Sequence, residues 1–316
     1  MKTTVTRPGL AGAFCVHLIA VTLAFLNLPN LLQAQTLQHR YSFTSNALDL
    51  VGGANGTLTG NAYITNGALC LPGGGTSASP LGYASLPNGI VSNDASITVE
   101  CWLTDNGGLV WAEAWCFGDS AAGAGQAPSS GTSYISLIPH SGENDFRAAF
   151  NLTGRDEIDV VDSAGTMPMN VEDYAVVTYN AASTTALLFL NGVQVGMANI
   201  PTYLAPANYG NTFNNWIGRD EFGGDPMFVG SIDELRIWNG AVSPLFIAVS
   251  ALAGPNVVVT NLTPVSVSIA VTGTNMNQGQ AQQATVSANF LQATNAAVSG
   301  CALRSARLSA QKSSSV

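Results

Sequence analysis

Lysine is missing from the whole interior of this 316-residue chain, with none between Lys2 and Lys312. That absence excludes a lysine Schiff base and a P-loop over the same span. Histidine is nearly as scarce. Beyond residue 34 only His39 and His140 remain, thin support for histidine-based metal or triad chemistry. Between Gln35 and Gly300 the only cations are Arg40, Arg147, Arg155, Arg219 and Arg236, against nineteen acids, a balance of 5 − 19 = −14. A chain this acidic repels nucleic acid and anionic membranes. Also lacking is any long 3.6-period amphipathic pattern bounded by helix caps, which argues against a helical domain.

The cations that do occur at the start have a different meaning. Lys2 and Arg7 precede an apolar run from Leu10 to Leu28, and Leu32-Gln33-Ala34 offers small-residue cleavage chemistry before Gln35. Residues 1–34 therefore read as a secretory signal peptide, and the expected location is secreted, periplasmic or cell-surface. An uncleaved anchor is the competing reading, weakened by His17, Asn27 and the cleavage site. No later stretch is apolar enough to span a bilayer. Cys15 leaves with the leader, so Cys70, Cys101, Cys116 and Cys301 remain, with three possible connectivities that the sequence does not choose among.

The rest is a succession of short strand-like runs cut by Gly, Asn, Asp, Ser and Pro. The clearest are Tyr63 to Leu71, Tyr83 to Leu86, Ile97 to Leu103, Val110 to Phe117, Tyr134 to Ile138, Asp145 to Leu152, Tyr174 to Tyr179, Thr185 to Leu190, Val193 to Met197 and Ser231 to Trp238. Such a pattern predicts an all-β, antiparallel sandwich or jelly roll. In the last run, GSIDELRIWNGAVS, Asp233 sits inside a strand, where an acid needs a partner.

Asp105-Asn106-Gly107-Gly108 suggests a hairpin joining Ile97–Leu103 to Val110–Phe117. In that register one face collects Ile97, Val99, Cys101, Leu103, Val110, Ala112, Ala114 and Cys116 as core, while the other carries Glu100, Trp102, Trp111, Glu113 and Trp115. Tryptophans beside paired glutamates would make a sugar-stacking platform, or else pack under loops with the glutamates in water. The same register holds Cys101 and Cys116 about four residues apart, roughly 13 Å, too far for a disulfide.

The pieces HRYSFTSNALDLVGGANGTLTG, GALCLPGG, YASLPNGIV, SITVECWL, YAVVTYN, LLFLNGVQV and WIGRDEFGGDPMFVGSIDELRIWNGAVS occur in this order. From about His39 to Pro255 the chain thus resembles the laminin G-like jelly-roll domains of the concanavalin A-like lectin and glucanase superfamily, in the form found in secreted bacterial surface proteins. The boundaries that follow are a jelly roll over 35–255, a partial bacterial immunoglobulin-like segment over 256–300, where acids vanish, and a disordered, serine-rich tail over 301–316.

The resemblance implies a structural calcium ion held by Asp49 and Asp233; Asp233 alternatively accepts from the backbone or from Arg236 or Arg40. Arg155-Asp156-Glu157-Ile158-Asp159-Val160-Val161-Asp162 is similar to the acidic strand of laminarinase-type endoglucanases, which would make Glu157, Asp159 and Asp162 a hydrolytic set, though Asp162 is one methylene shorter than the family's glutamate. The expected function is an exported, non-catalytic carbohydrate-binding or adhesion module that meets a glycan or cell-surface partner. Glycoside hydrolysis and a purely structural surface role are the alternatives.

Overall fold

The computed structural model describes residues 35–127, 130–153, 155–259, 264–271 and 284–290. The segments expected to be a signal peptide and a disordered tail lie outside the described residues, as does Cys301. In chain order the strands are β1 (Thr36–Tyr41), β2 (Thr57–Gly60), β3 (Tyr63–Thr65), β4 (Ala68–Leu71), β5 (Gly75–Thr76), β6 (Ser79–Pro80), β7 (Gly82–Leu86), β8 (Ile97–Asp105), β9 (Trp115–Ser120), β10 (Gly131–Ile138), β11 (Phe146–Asn151) and β12 (Ile158–Asp162). There follow β13 (Glu172–Asn180), β14 (Thr185–Leu190), β15 (Val193–Asn199), β16 (Asn214–Ile217), β17 (Gly230–Asn239) and, among the described residues, a single α-helix, α1 (Pro244–Ala253). Farther on, β18 (Pro264–Val271) and β19 (Ala284–Phe290) pair as an antiparallel ribbon within the segment expected to be immunoglobulin-like.

Two antiparallel sheets carry the architecture. The first runs β15-β14-β13-β8-β17-β4-β3, with β1 also on β17; the second runs β12-β11-β10-β9-β16-β7-β2. Alternation explains how they stack. Ile97, Val99, Cys101 and Leu103 of β8, with Leu235 and Ile237 of β17, face Trp115 and Phe117 of β9, Ile135 and Leu137 of β10, and Phe146, Ala148 and Phe150 of β11 across one core. The antiparallel sandwich expected from the sequence is therefore the fold. The run Tyr63 to Leu71 is not one strand, however. Asn66 and Gly67 take positive φ (52° and 82°) and fold it into the β3–β4 hairpin.

The hairpin expected between Ile97–Leu103 and Val110–Phe117 does not exist. β8 is flanked by β13 on one side and β17 on the other, so no edge is left for a third strand. The turn itself is real: Asp105 Oδ1 accepts from Gly107 N (2.9 Å) and Gly108 N (3.0 Å). It sends the chain across to the other sheet, where β9 begins only at Trp115 and pairs with β10 and β16. During the crossing the two-residue phase slips. Ala112, Ala114 and Trp115 all enter the core, while Cys116 turns outward. Cys101 and Cys116 are unpaired, as expected, but because they belong to opposite sheets rather than to slipped positions of one hairpin.

The helix is the other departure. Ser243 caps it by accepting from Phe246 N, Pro244 opens it and Gly254 (φ 77°) ends it. It lies on the outer face of the first sheet, where Phe246 and Ile247 pack with Trp102, Tyr174, Val176, Phe189 and Trp238. The central strands β8, β13, β14 and β17 are thus covered on both faces.

Under the helix sits a closed charge network. Arg236, fully buried, stacks 4.4 Å over Trp102 and donates through Nε to Glu234 and through Nη2 to the Val257 carbonyl (3.1 Å). Glu234 also receives Arg40 Nε (2.8 Å) and Nη2 (3.0 Å) and the Asn256 amide (2.7 Å). Glu100 receives Trp238 Nε1 (2.5 Å) and the Tyr174 hydroxyl, with Arg236 Nη1 at 3.8 Å. Burial raises the Glu234 carboxyl, but Arg40 and Arg236 outweigh it and leave it below its ordinary range. A bulge at Asp233 makes this possible. It shifts the register between Ile232 and Glu234, so Glu234 instead of Asp233 faces Arg40 and Arg236. Replacing Glu234 with Gln leaves Arg40 and Arg236 short of their shared acceptor. The expected loss is roughly 3–5 kcal/mol in chemical denaturation, against no more than about 0.5 kcal/mol for Asp233→Asn.

Candidate functional site

The five residues expected to form one glycan platform are dispersed. Glu100 and Trp102 lie beneath α1, and Trp115 is wholly inside the inter-sheet core. Only Trp111 and Glu113 stay together, on the outer face of the second sheet. There they line a cavity of about 280 Å³ with Tyr134, Ile138, Ala149, Glu157, Phe222 and Asp225. Strand alternation supplies its floor, since Tyr134 and Ile138 of β10 and Ala149 of β11 point away from the core that Ile135, Leu137 and Ala148 enter. Loops supply its walls. The segment after β16 brings Phe222 edge-on to Tyr134 (centroids 5.6 Å), and the segment before β12 brings Glu157 to the Tyr134 hydroxyl.

Trp111 is held with unusual firmness. Its φ of 67° is uncommon for a bulky residue, its amide donates to the His140 carbonyl (2.9 Å), and its ring rests on Gly142, where a Cβ would lie 2.7 Å from the indole. The Arg147 guanidinium stands 5.6 Å from the ring centroid. Arg147 is itself fixed by Asp145 (2.7 Å through both Nε and Nη2), Asp159 (2.6 Å) and Glu143 (2.9 Å).

Acids crowd the same face. Glu113 is 4% exposed, and its Oε2 has no hydrogen-bond partner among the described residues. Burial, with the charges of Asp220 and Glu157 added, holds its carboxyl well above the ordinary range, and Cys116 and Ser136 offset this only in part. Burial likewise pushes Asp220 and Glu221 up to about 8, and Asp225 and Asp159 up to about 6. Arg219 relieves Asp220 and Glu221 only in small part. Its Nε and Nη1 donate to the carbonyls of Ser77 (2.9 Å) and Gly125 (3.0 Å), and it stacks on Trp216 (4.0 Å) and Tyr83 (4.8 Å).

The family model described as the concanavalin A-like lectin/glucanases superfamily, of the laminin G type, matches residues 79–248. The chain belongs to that superfamily. Among solved structures it is similar to domain 4 of AbnA, a GH43 extracellular arabinanase from Geobacillus stearothermophilus, in complex with arabinotriose. That likeness has 21% identity and a TM-score of 0.52 over 68% of this chain and 97% of that one. Similar at lower scores are the sialidase CBM40 of Ruminococcus gnavus bound to α2,3-sialyllactose (10% identity, TM-score 0.43, 61% of this chain and 97% of that one) and the binding domain of botulinum neurotoxin serotype D/C (14%, 0.48, 69% and 52%). No curated protein matches the chain.

Two site expectations drawn from the superfamily do not fit the residues present. Asp49 accepts five hydrogen bonds, from His39 Nδ1 (2.7 Å), Arg40 N (2.9 Å) and the amides of Val51, Gly52 and Ala54 (each 3.0 Å). Burial raises its carboxyl, yet these donors together bring it below the ordinary range. A carboxylate ringed by N–H groups is a loop clamp, and the same dipoles repel a cation. Asp233 projects from the bulge toward Asn256 Nδ2 (3.4 Å) and shares no hydrogen-bond partner with Asp49. Among the described residues no cluster of three or more His, Cys, Asp or Glu is arranged to hold a metal.

The acidic strand expected to present Glu157, Asp159 and Asp162 on one face does not do so. Asp159 pairs with Arg147, Glu157 faces the cavity, and Asp162 lies one strand position out of phase with Asp159, beside Phe146, where it caps the Ala164 amide (2.9 Å). β12 is an edge strand, and Trp111, Tyr134 and Phe222 line the same cavity as Glu157.

Three outcomes follow. Chelator leaves the melting temperature unchanged within about 1 °C, because neither Asp49 nor Asp233 is placed to hold calcium. Gly142→Ala pushes the Trp111 ring out of its seat, seen as a change in near-ultraviolet circular dichroism with the far-ultraviolet spectrum intact. The third concerns pH. Asp220 and Glu221 stabilise the fold in their neutral form, so their contribution is whole below about pH 4 and is lost as pH climbs to about 8. Asp49 and Glu234, whose carboxyls are lowered, contribute above the ordinary range and lose that below it. Thermal stability without ligand therefore peaks on the mildly acidic side of neutrality, and Asp220→Asn flattens the alkaline decline.

Proposed function

We propose that the chain is an exported, non-catalytic carbohydrate-binding module that holds a glycan in the cavity on the outer face of its second sheet. The observation that carries this reading is the conjunction of a rigidly seated Trp111, the rings of Tyr134 and Phe222, and the acids Glu113, Glu157 and Asp225 around one space of about 280 Å³. Aromatic rings stack on the apolar faces of sugars, and carboxyl groups bond their hydroxyls. The likeness to an arabinanase domain in complex with arabinotriose supports the same reading. A purely structural surface role leaves such a cavity unexplained.

Size and chemistry favour binding over hydrolysis. At the small end of the ~300–1,000 Å³ typical of ligand pockets, the cavity holds a terminal or single sugar unit more readily than two units flanking a scissile bond. A glycosidase also needs one ionised and one protonated carboxyl poised on that bond, whereas Glu157 is engaged by the Tyr134 hydroxyl and Asp159 by Arg147. The partner is then a polysaccharide or a glycan on a cell surface.

A glycan array followed by calorimetry on the chain from Gln35 tests the proposal. Wild type should retain at least one glycan, and Trp111→Ala should weaken it about tenfold or more with an unshifted melting curve. An empty array overturns the binding reading, and release of new reducing ends overturns its non-catalytic part.

A further inference from the structure

The charge of the cavity is one-sided in a way that narrows the ligand. Three of its eight lining residues are carboxylic acids, three are aromatic, and none is Lys, Arg or His. The nearby cations are already committed. Arg147 donates to three carboxylates, and Arg219 donates to two backbone carbonyls while lying over the rings of Trp216 and Tyr83. An anionic sugar would find no unspent positive donor there. A neutral sugar would leave the buried acids to rely on their protons.

Glu113 states the need most clearly. It is 4% exposed, lines the cavity, and its Oε2 has no partner among the described residues. The groups facing it are Cys116 of β9, Ser136 and Tyr134 of β10, Glu157 before β12 and Asp220 after β16, and none of them is a cation. A buried acid in such company needs a proton or a positively charged guest. Rings around a carboxylate also supply what an ammonium group seeks, since cation–π attraction and a charge-assisted hydrogen bond act on the same atom.

Resting on the glycan-binding reading, we propose that the cavity selects a sugar bearing a protonated primary amine, such as a 2-amino-2-deoxyhexose unit, over neutral and anionic sugars. The ammonium sits among Trp111, Tyr134 and Phe222 and donates to Glu113, with Asp225 at the rim. Binding replaces the proton that burial keeps on Glu113, so proton release accompanies capture of the amine.

The test compares four trisaccharides by calorimetry: β-1,4-linked glucosamine, its N-acetylated counterpart, a β-1,4-glucan and a galacturonate. The amine-bearing sugar should bind at least tenfold more tightly than the other three, with an apparent enthalpy that varies with the ionisation enthalpy of the buffer in the sense of proton release. Glu113→Gln should bring it down to the level of the acetylated sugar and abolish the buffer dependence. Asp225→Asn, at the rim, should act in the same direction more weakly and keeps the idea testable if the first variant does not fold. Equal or tighter binding of a neutral or anionic trisaccharide overturns this inference while leaving the glycan reading intact. If none of the four binds, the inference also falls, and the array decides whether the broader reading falls with it.

Discussion

Arg236 has no exposure to water, and much of the first sheet is arranged to use its charge. Glu100 on β8, Glu234 on its own strand and the carbonyl of Val257 surround it, Trp102 lies under it, and Arg40 on β1 shares Glu234 with it. The formal charges of two arginines and two glutamates balance, with Glu234 held below its ordinary range by the arginines and Glu100 raised above it by burial. That network ties the first strand, the last strand of the sandwich and the segment after the helix into one unit. A hydrophobic core would hold the two sheets together without it, whereas residues 254–259 are placed by its bonds to the Val257 carbonyl and the Asn256 amide together with the packing of Val258 and Val259 under the helix.

The bulge at Asp233 connects this network to the core. Ile232 and Leu235 both face inward, which strict alternation forbids for residues three apart, and the extra residue allows it. Sequence reading identified the strand and its acid but assigned importance to Asp233, because period-two counting has no means of placing a slip. The same blindness produced the false hairpin. Asp105-Asn106-Gly107-Gly108 does form a turn, yet whether a turn returns to its own sheet depends on which edges are free, and that is fixed by β13 and β17 from far along the chain.

Legibility was therefore uneven in a physically consistent way. Strand runs, the core face of β8 and the sandwich itself were readable because alternation is local. The helix was missed although Ser243-Pro244 and Gly254 bracket it, since its residues are apolar nearly all round and give no amphipathic stripe. Of the site, Trp111 and Glu113 were readable as a pair two residues apart. Tyr134, Phe222 and Asp225 were not, because they arrive from elements more than twenty residues downstream, and only the stacking of β10 beside β9 and the folding back of the segment after β16 bring them near.

The cavity has a sheet for its floor and loops for its walls, and the two are built from different kinds of information. Floor residues such as Ile138 and Ala149 share strands with core residues, so changing them disturbs packing on both sides. Phe222 and Asp225 sit on a connection anchored by main-chain bonds, Ser77 N to Asp225 O (2.9 Å) and Ala78 N to Gly223 O (3.1 Å), and by the buried side chains of Arg219, Asp220 and Glu221, while Phe222 and Asp225 themselves are only half-buried. On the proposed reading, preference among sugars can thus be rewritten at wall positions 222 and 225 with little repacking of the sandwich beneath.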